Sequence, residues 1–289
     1  MTQTWFITGS SRGFGRALAV AALGAGHRVA ATARRPEQLD PLVAEFGDRV
    51  LPLALDVTDP VRTAEALAEA AARFGRLDVI VNNAGYATVA PIETGDDADV
   101  RAEFETDFWG VYNVSKAAIP YLRAQGGGLV VQFSSVGGRV GGSPGLASYQ
   151  AAKFAIDGFS RVLRAETAQF GVRVLVVEPS GFRTDWAGAS MQVREVPPEY
   201  SGTVGAATVG RAGGAGFPGD PARAAEILVQ VAGRADVPEH LPLGVTAVDS
   251  SLALGERLLA EGRRWADVGR SADGDRPYPA PFPPDVARI

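Results

Sequence analysis

Cysteine is absent from the 289 residues, which excludes disulfides, a thiol nucleophile and a cysteine zinc site. Histidine is almost as scarce. His27 and His240 stand in unrelated contexts, too few for a histidine-rich metal cluster or a Ser-His-Asp triad, so no metal is expected. A net charge of -5 leaves no basic footprint for nucleic acid or an anionic membrane surface. No apolar run reaches the ~18 residues of a membrane span, and no basic n-region with an apolar h-region marks a signal peptide. With 46% hydrophobic residues, the chain reads as a soluble cytoplasmic protein with one sizeable core rather than two full domains.

What is present is organised around residues 4–15, TWFITGSSRGFG. An apolar run (Trp5, Phe6, Ile7) breaks into a turn holding Gly9, Gly13 and Gly15, and an alanine-rich helical pattern follows to Leu23. Strand, glycine turn and helix in that order make a phosphate cradle, because glycine lets backbone amides approach an anion and the helix N-terminus favours negative charge. Among 35 glycines such a turn is weak evidence alone, and its place at a strand–helix junction is what strengthens it. Buried-strand patterns recur at 28–33, 50–55, 77–81, 129–133, 172–177 and 241–246. Helical stretches separate them at 36–46, 60–74, 97–124 and 148–170, with a further helix from Asp220-Pro221 and a last one at 250–268. This alternation predicts a doubly wound parallel sheet covered on both faces, a three-layer α/β/α single domain over 1–270. Residues 185–219 form a long Gly- and Pro-rich substrate loop, and 271–289 a Pro-rich tail expected to be extended or disordered. Ligand chemistry in such sheets lies at the carboxyl ends of the strands. The clusters 8–15, Arg34, Asp56, 82–85, 134–135 and 179–184 all fall there.

Tyr149 and Lys153 stand one helical turn apart on one face. A phenol titrates near 10, so work near neutrality asks for ~3 units, about 4 kcal/mol of differential stabilisation. A neighbouring ammonium supplies part of it. Tyr112 and Lys116 repeat the spacing with the chain's only other lysine, but lack a strand-end serine and read as helix surface or subunit contact.

Together, Thr8-Gly9-x-x-x-Gly13-x-Gly15, Asn82-Asn83-Ala84-Gly85, Ser135, Tyr149-x-x-x-Lys153 and Pro179-x-Gly181-x-x-Thr184 resemble the short-chain dehydrogenase/reductases over roughly residues 4 to 270. The resemblance implies a Rossmann-type single domain that transfers hydride between NAD(P) and a carbonyl or alcohol. Tyr149 would protonate the nascent alkoxide and Ser135, rather than Ser134, would polarise the carbonyl. Lys153 would hold the nicotinamide ribose and lower the Tyr149 pKa. The glycine turn with Ser11, Arg12 and Phe14, then Asp56, Val57, Asn83, Ala84 and Gly85, would line the cofactor. Pro179, Phe182 and Thr184 would meet its nicotinamide end and phosphates. A homodimer or homotetramer through the long helices is also implied.

Cofactor choice has its own argument. A ribose 2′-hydroxyl is usually held by an acid about twenty positions past the glycine turn, where this chain has Ala33, then Arg34 and Arg35. With Arg12, these cations favour NADP(H), although arginines on a solvated surface would look the same. Two departures from the family stand out. Asp107 replaces the usual Asn of an Asn-x-x-Gly pattern, and an ionised Asp107 would raise the Tyr149 pKa. Ser180 replaces the usual Gly after Pro179. The leading expectation is an NADPH-dependent ketone or aldehyde reductase acting on an apolar small molecule, walled by 86–92, 136–146, Trp186, Met191, Tyr200 and Phe217. The rivals are a non-catalytic NADP(H)-binding sensor or scaffold and, less readily, a nucleotide-sugar epimerase or dehydratase.

Overall fold

The three residues after Thr4 point alternately to two separate cores. In a computed structural model, which describes residues 2–184, 190–211, 217–276, 278 and 280–284, they lie in strand β1 (Thr4–Ile7). Trp5 and Ile7 enter one apolar cluster and Phe6 the other. The alternation is the period of a strand, and it repeats in β2 (Arg28–Ala33), β4 (Val79–Asn82), β6 (Gly128–Phe133) and β7 (Val172–Pro179). Phe6, Ala30, Ile80, Val130 and Val174 form one row across the sheet in parallel register, all facing the same layer.

That layer is built by α3 (Pro60–Phe74), α5 (Gly110–Ala124) and α6 (Ala147–Thr167), through residues such as Leu67, Phe74, Leu122 and Leu163. The opposite layer holds α1 (Gly13–Gly24), α2 (Asp40–Phe46) and α8 (Pro221–Ala232), which contribute Leu18, Leu23, Leu42 and Leu228. With β3 (Val50–Ala54) and β9 (His240–Leu243), the sheet has seven parallel strands in the order β3-β2-β1-β4-β6-β7-β9. The order reverses direction between β1 and β4, which makes that edge the ligand-binding crevice of a doubly wound sheet. Asp59 and Asp220 cap α3 and α8 just before Pro60 and Pro221, accepting from Val61, Arg62, Ala222 and Arg223 amides. The three-layer Rossmann-type architecture expected from the sequence is thus the observed one.

Three features differ from expectation. The helical stretch 97–124 is not one α-helix: α4 (Asp97–Phe104) and α5 are joined by a π-helical turn, Glu105–Trp109. A short parallel pair, β5 (Ala87–Val89) with β8 (Met191–Val193), also escaped the sequence reading. It ties the long loop to the segment after β4, while a bridge between Phe182 and Gly219 pins the loop's two ends. Short helix α7 (Ala206–Arg211) lies within that loop. The final helix α9 (Val245–Arg270) starts five residues earlier than expected, and Phe282 of the tail packs edge-on against its Trp265. Among the described residues no helix is long and apolar enough to cross a membrane.

Candidate active site

The switch point is closed by one hydroxyl. Thr8 Oγ1, just past β1, donates to the Val81 carbonyl (3.2 Å) and accepts from the amides of Asn83 (2.9 Å) and Ala84 (3.0 Å). The Asn83 amide group returns to the carbonyls of Thr8 and Gly9 at 2.9 and 3.2 Å. Gly9 turns the chain at φ +68°, and a Cβ on Gly15 would lie only 2.3 Å from the Gly9 carbonyl oxygen. Helix α1 therefore begins hard against the turn. Its N-terminus has no side-chain cap and no acidic residue in its first turn, so its leading amides are left for an anion. Ser11 and Arg12 stand in this turn, Arg12 exposed, and Thr184 approaches Gly13 from across the crevice. Arg34 and Arg35 are exposed at the end of β2. Asp56 is exposed after β3, where it accepts from Thr58, and the buried Val57 beside it accepts from Asn113 Nδ2 at 3.0 Å.

The second half of the site comes from β6 and α6. Buried positions along α6 fall at Tyr149, Lys153, Ile156, Ser160 and Leu163, one stripe of the helix, and the stripe's first two members face the end of β6. Ser135 hydrogen-bonds the Tyr149 side chain and accepts from the Gly137 amide at 3.0 Å. Ser134 points elsewhere, its hydroxyl donating to the Lys153 carbonyl at 3.0 Å, so it anchors α6 to the sheet. Lys153 Nζ donates to the Phe133 carbonyl (3.2 Å), sits 3.1 Å from Asp107 Oδ2 and lies 5.4 Å from the Tyr149 ring centroid. Asp107, delivered by the π turn and fully buried, also accepts from the Tyr86 amide at 3.0 Å. Such a turn re-aims a side chain that a regular helix would direct elsewhere.

The electrostatics follow from this burial. Loss of solvent pushes the Tyr149 phenol up, the Lys153 ammonium pulls it back, and the Asp107 carboxylate pushes it up again, for a net position above the ordinary tyrosine value. Burial alone would lower Lys153, but Asp107 and Tyr149 more than offset it and hold the ammonium charged. Burial likewise raises Asp107 against the pull of Lys153 and the Tyr86 amide. A second buried carboxyl, Glu103, lies one turn before Asp107 on α4 and was not singled out from the sequence. It accepts from Ser148 Oγ (2.8 Å) and the Thr88 amide (3.1 Å), and burial pushes it to about 7.

A cavity of about 390 Å³ opens over this row. Ser135, Tyr149, Lys153, Asn83 and Gly85 line it, together with Phe14, Pro179, Phe182 and Thr184. Asp107 stands behind Lys153, and Gly9, Arg12, Arg34, Asp56 and Val57 follow the carboxyl ends of β1, β2 and β3 and do not line the cavity. Val140, Leu146 and Phe217 form an apolar wall. Met191 and Tyr200, expected there, pack instead against a small cluster of Ala87, Val89, Leu146, Tyr149 and Val204; Trp186 falls outside the described residues. The Tyr112–Lys116 pair is remote from the cavity, in an aromatic group with Trp109 and Phe159. Ser180 is accommodated without disturbing the rim: its hydroxyl donates to the Leu243 carbonyl at 3.2 Å, in space that a Cβ on Gly244 would occupy. Arg211 of α7 also lines the cavity, a residue the sequence reading passed over. Among the described residues no group of three or more His, Asp or Glu is placed to hold a metal.

Comparison with known proteins agrees with this geometry. A family model described as short chain dehydrogenase matches residues 3–194. Oxidoreductase BOA17 of Botryotinia fuckeliana is 48% identical over 270 residues, spanning 93% of this chain and 98% of that protein. The solved structure of a short-chain dehydrogenase from Streptomyces avermitilis superposes with a TM-score of 0.88 at 40% identity, covering 94% of this chain and 98% of that one. An alcohol dehydrogenase from Thermococcus sibiricus, solved with 5-hydroxy-NADP, gives 0.70 at 26% identity, over 84% and 96% of the two chains. The chain is an oxidoreductase and belongs to the short-chain dehydrogenase family.

Proposed function

We propose that the protein is an NADPH-dependent reductase of ketones or aldehydes, reversible to alcohol oxidation. The observation that carries this reading is the convergence of Ser135, Tyr149 and Lys153 on one cavity, beside an uncapped helix N-terminus at the sheet's switch point. The free amides of α1 and the glycine surface around Gly15 fit a pyrophosphate. Arg12, Arg34 and the neutral Ala33 fit a 2′-phosphate better than a bare ribose, and the Thermococcus relative was solved with an NADP derivative. When bound, the dinucleotide supplies or accepts the hydride at its nicotinamide.

The chain's own groups do the rest. Ser135 donates a hydrogen bond to the substrate carbonyl, and Tyr149 gives its proton to the same oxygen. Lys153 orients the ribose and stabilises the tyrosinate left behind. Asp107 acts as a positioning residue, fixing Lys153 from behind and limiting how far it can lower Tyr149. A phenol held above its ordinary value stays protonated at neutral pH, which favours reduction and slows oxidation. The exposed Trp109, Phe154 and Val162, on the outer faces of the helices bearing Asp107 and Tyr149, support a homodimer or homotetramer.

The test is NADPH oxidation with a panel of ketones and aldehydes, with Tyr149→Phe as control. Turnover should fall at least ~1000-fold in the variant, since general acid catalysis and a shared hydrogen bond are both lost. Tight NADPH binding with no turnover of any carbonyl by the wild type would leave a cofactor-binding sensor instead.

A further inference from the structure

We propose that Arg211 forms an anion subsite in the substrate cavity, and that the natural substrate of the proposed reductase is a keto acid: an apolar body carrying the reacting carbonyl, with a carboxylate at its far end. This rests on the reductase reading and narrows it.

Three observations carry the assignment. Arg211 stands on α7 and lines the same cavity as Tyr149, on the side of the long loop. Its guanidinium is only half used. Nη2 donates to the Pro144 carbonyl at 2.6 Å, tying the group to the loop that runs into α6, whereas Nη1 is buried with no hydrogen-bond partner among the described residues. A buried N–H of a charged group without an acceptor is costly, so such a group marks a site that a ligand completes.

The cavity's charge balance points the same way. Two cations line it, Lys153 and Arg211, and no aspartate or glutamate does among the described residues. Lys153 already has Asp107 at 3.1 Å. Arg211 has no acidic partner among the described residues, and burial pulls its pKa down. An uncompensated cation in an otherwise apolar wall of Val140, Leu146, Phe182 and Phe217 suits a monoanion attached to a hydrocarbon frame. A guanidinium engaged through one nitrogen still has donors to offer a carboxylate that enters the cavity it lines.

Binding and turnover are read separately with matched probes: levulinate and para-acetylbenzoate, each against its methyl ester. Calorimetry in the presence of saturating NADP⁺ should show at least one of the acids binding ~10-fold or more tightly than its ester. The preference should vanish in Arg211→Gln and partly survive in Arg211→Lys, while NADP⁺ affinity stays unchanged. Equal or absent binding of acid and ester for both pairs overturns the proposal, as does an acid preference that persists in Arg211→Gln. A loss of NADP⁺ affinity in Arg211→Gln with an unaltered acid-to-ester ratio also overturns it, by giving the arginine to the cofactor. Preferential binding of an acid without any NADPH oxidation would sink the reductase reading and leave the anion subsite standing.

Discussion

Replacing Asp107 with asparagine removes one negative charge and almost no volume from behind the proposed catalytic row. The amide oxygen can still accept from the Tyr86 amide, so the π turn keeps its tie to the segment after β4. What changes is the field at Tyr149. Lys153 Nζ is 5.4 Å from the Tyr149 ring centroid and 3.1 Å from Asp107 Oδ2. Those two distances place the carboxylate within about 8.5 Å of the ring, where a unit charge at an effective dielectric near 20 is worth about 2 kcal/mol. In the wild type that energy opposes ionisation of the phenol, on top of the larger effect of burial. In the variant it is gone.

Alcohol oxidation needs the tyrosinate, so its rate on the acid side of the pH profile should rise by about 30-fold in Asp107→Asn, and the midpoint should move to lower pH by about 1.5 units. Reduction, which uses the neutral phenol, should change little at neutral pH and decline earlier on the alkaline side. The assay is kcat/KM against pH in both directions, with NADP⁺ and NADPH held saturating. An unchanged midpoint would mean that Asp107 is already protonated in the wild type, and the reasoning fails. A midpoint displaced upward would refute it differently: Lys153, deprived of the carboxylate that keeps it charged, would have lost its proton and its influence on Tyr149.

Glu103, fully buried, binds a proton up to about pH 7 when folded against 4.5 for an ordinary glutamate, so the folded state holds more protons across that interval. Its contribution therefore falls as pH rises from 4.5 to about 7, by at most about 3 kcal/mol; Glu103→Gln should flatten this loss in urea melts at pH 5 and 8, and parallel slopes would refute it. In Gly15→Ala the new methyl group would meet the Gly9 carbonyl at 2.3 Å, so the turn must shift; NADPH affinity measured by fluorescence should drop at least ~10-fold, and unchanged affinity would separate the turn from the cofactor. Arg34→Ala should raise the KM for NADPH about tenfold or more while leaving NADH nearly unaffected, as expected for loss of a charge-assisted bond of about 1.5–3 kcal/mol. Equal effects on both cofactors would remove the 2′-phosphate argument.

The central sheet was legible because its signal is local. Strands buried on both faces read as short apolar runs, and each ends in a glycine or polar break where the parallel topology brings the breaks together. Thr8, Asn83, Ser135 and Tyr149 could be assembled in advance because each is tied to such a strand end. The separate engagement of Ser134 with the Lys153 carbonyl, which favours Ser135 as the proposed polariser, depends on how α6 packs on β6 and has no mark in the sequence. The three-residue strands β5 and β8 carry too few residues to display any period. The π turn was hidden for the opposite reason: residues 97–124 keep a helical pattern throughout, and one widened turn alters where Asp107 points without altering its neighbours in sequence.

Arg211 was unreadable for a deeper physical reason. In the stretch from Gly205 to Arg211 nothing distinguishes it from the chain's many surface arginines. Its meaning lies in what is not near it among the described residues: a counter-charge. The chain holds 33 acidic residues, but the cavity wall draws on loops whose nearby members are serine, glycine and apolar residues, while Asp107 and Glu103 are committed to Lys153, Ser148 and backbone amides. Motifs record which groups a fold brings together, and a substrate is recognised through the groups a fold leaves incomplete. The proposed catalytic row could therefore be inferred before its geometry, whereas the proposed carboxylate site emerges only once every other partner has been assigned.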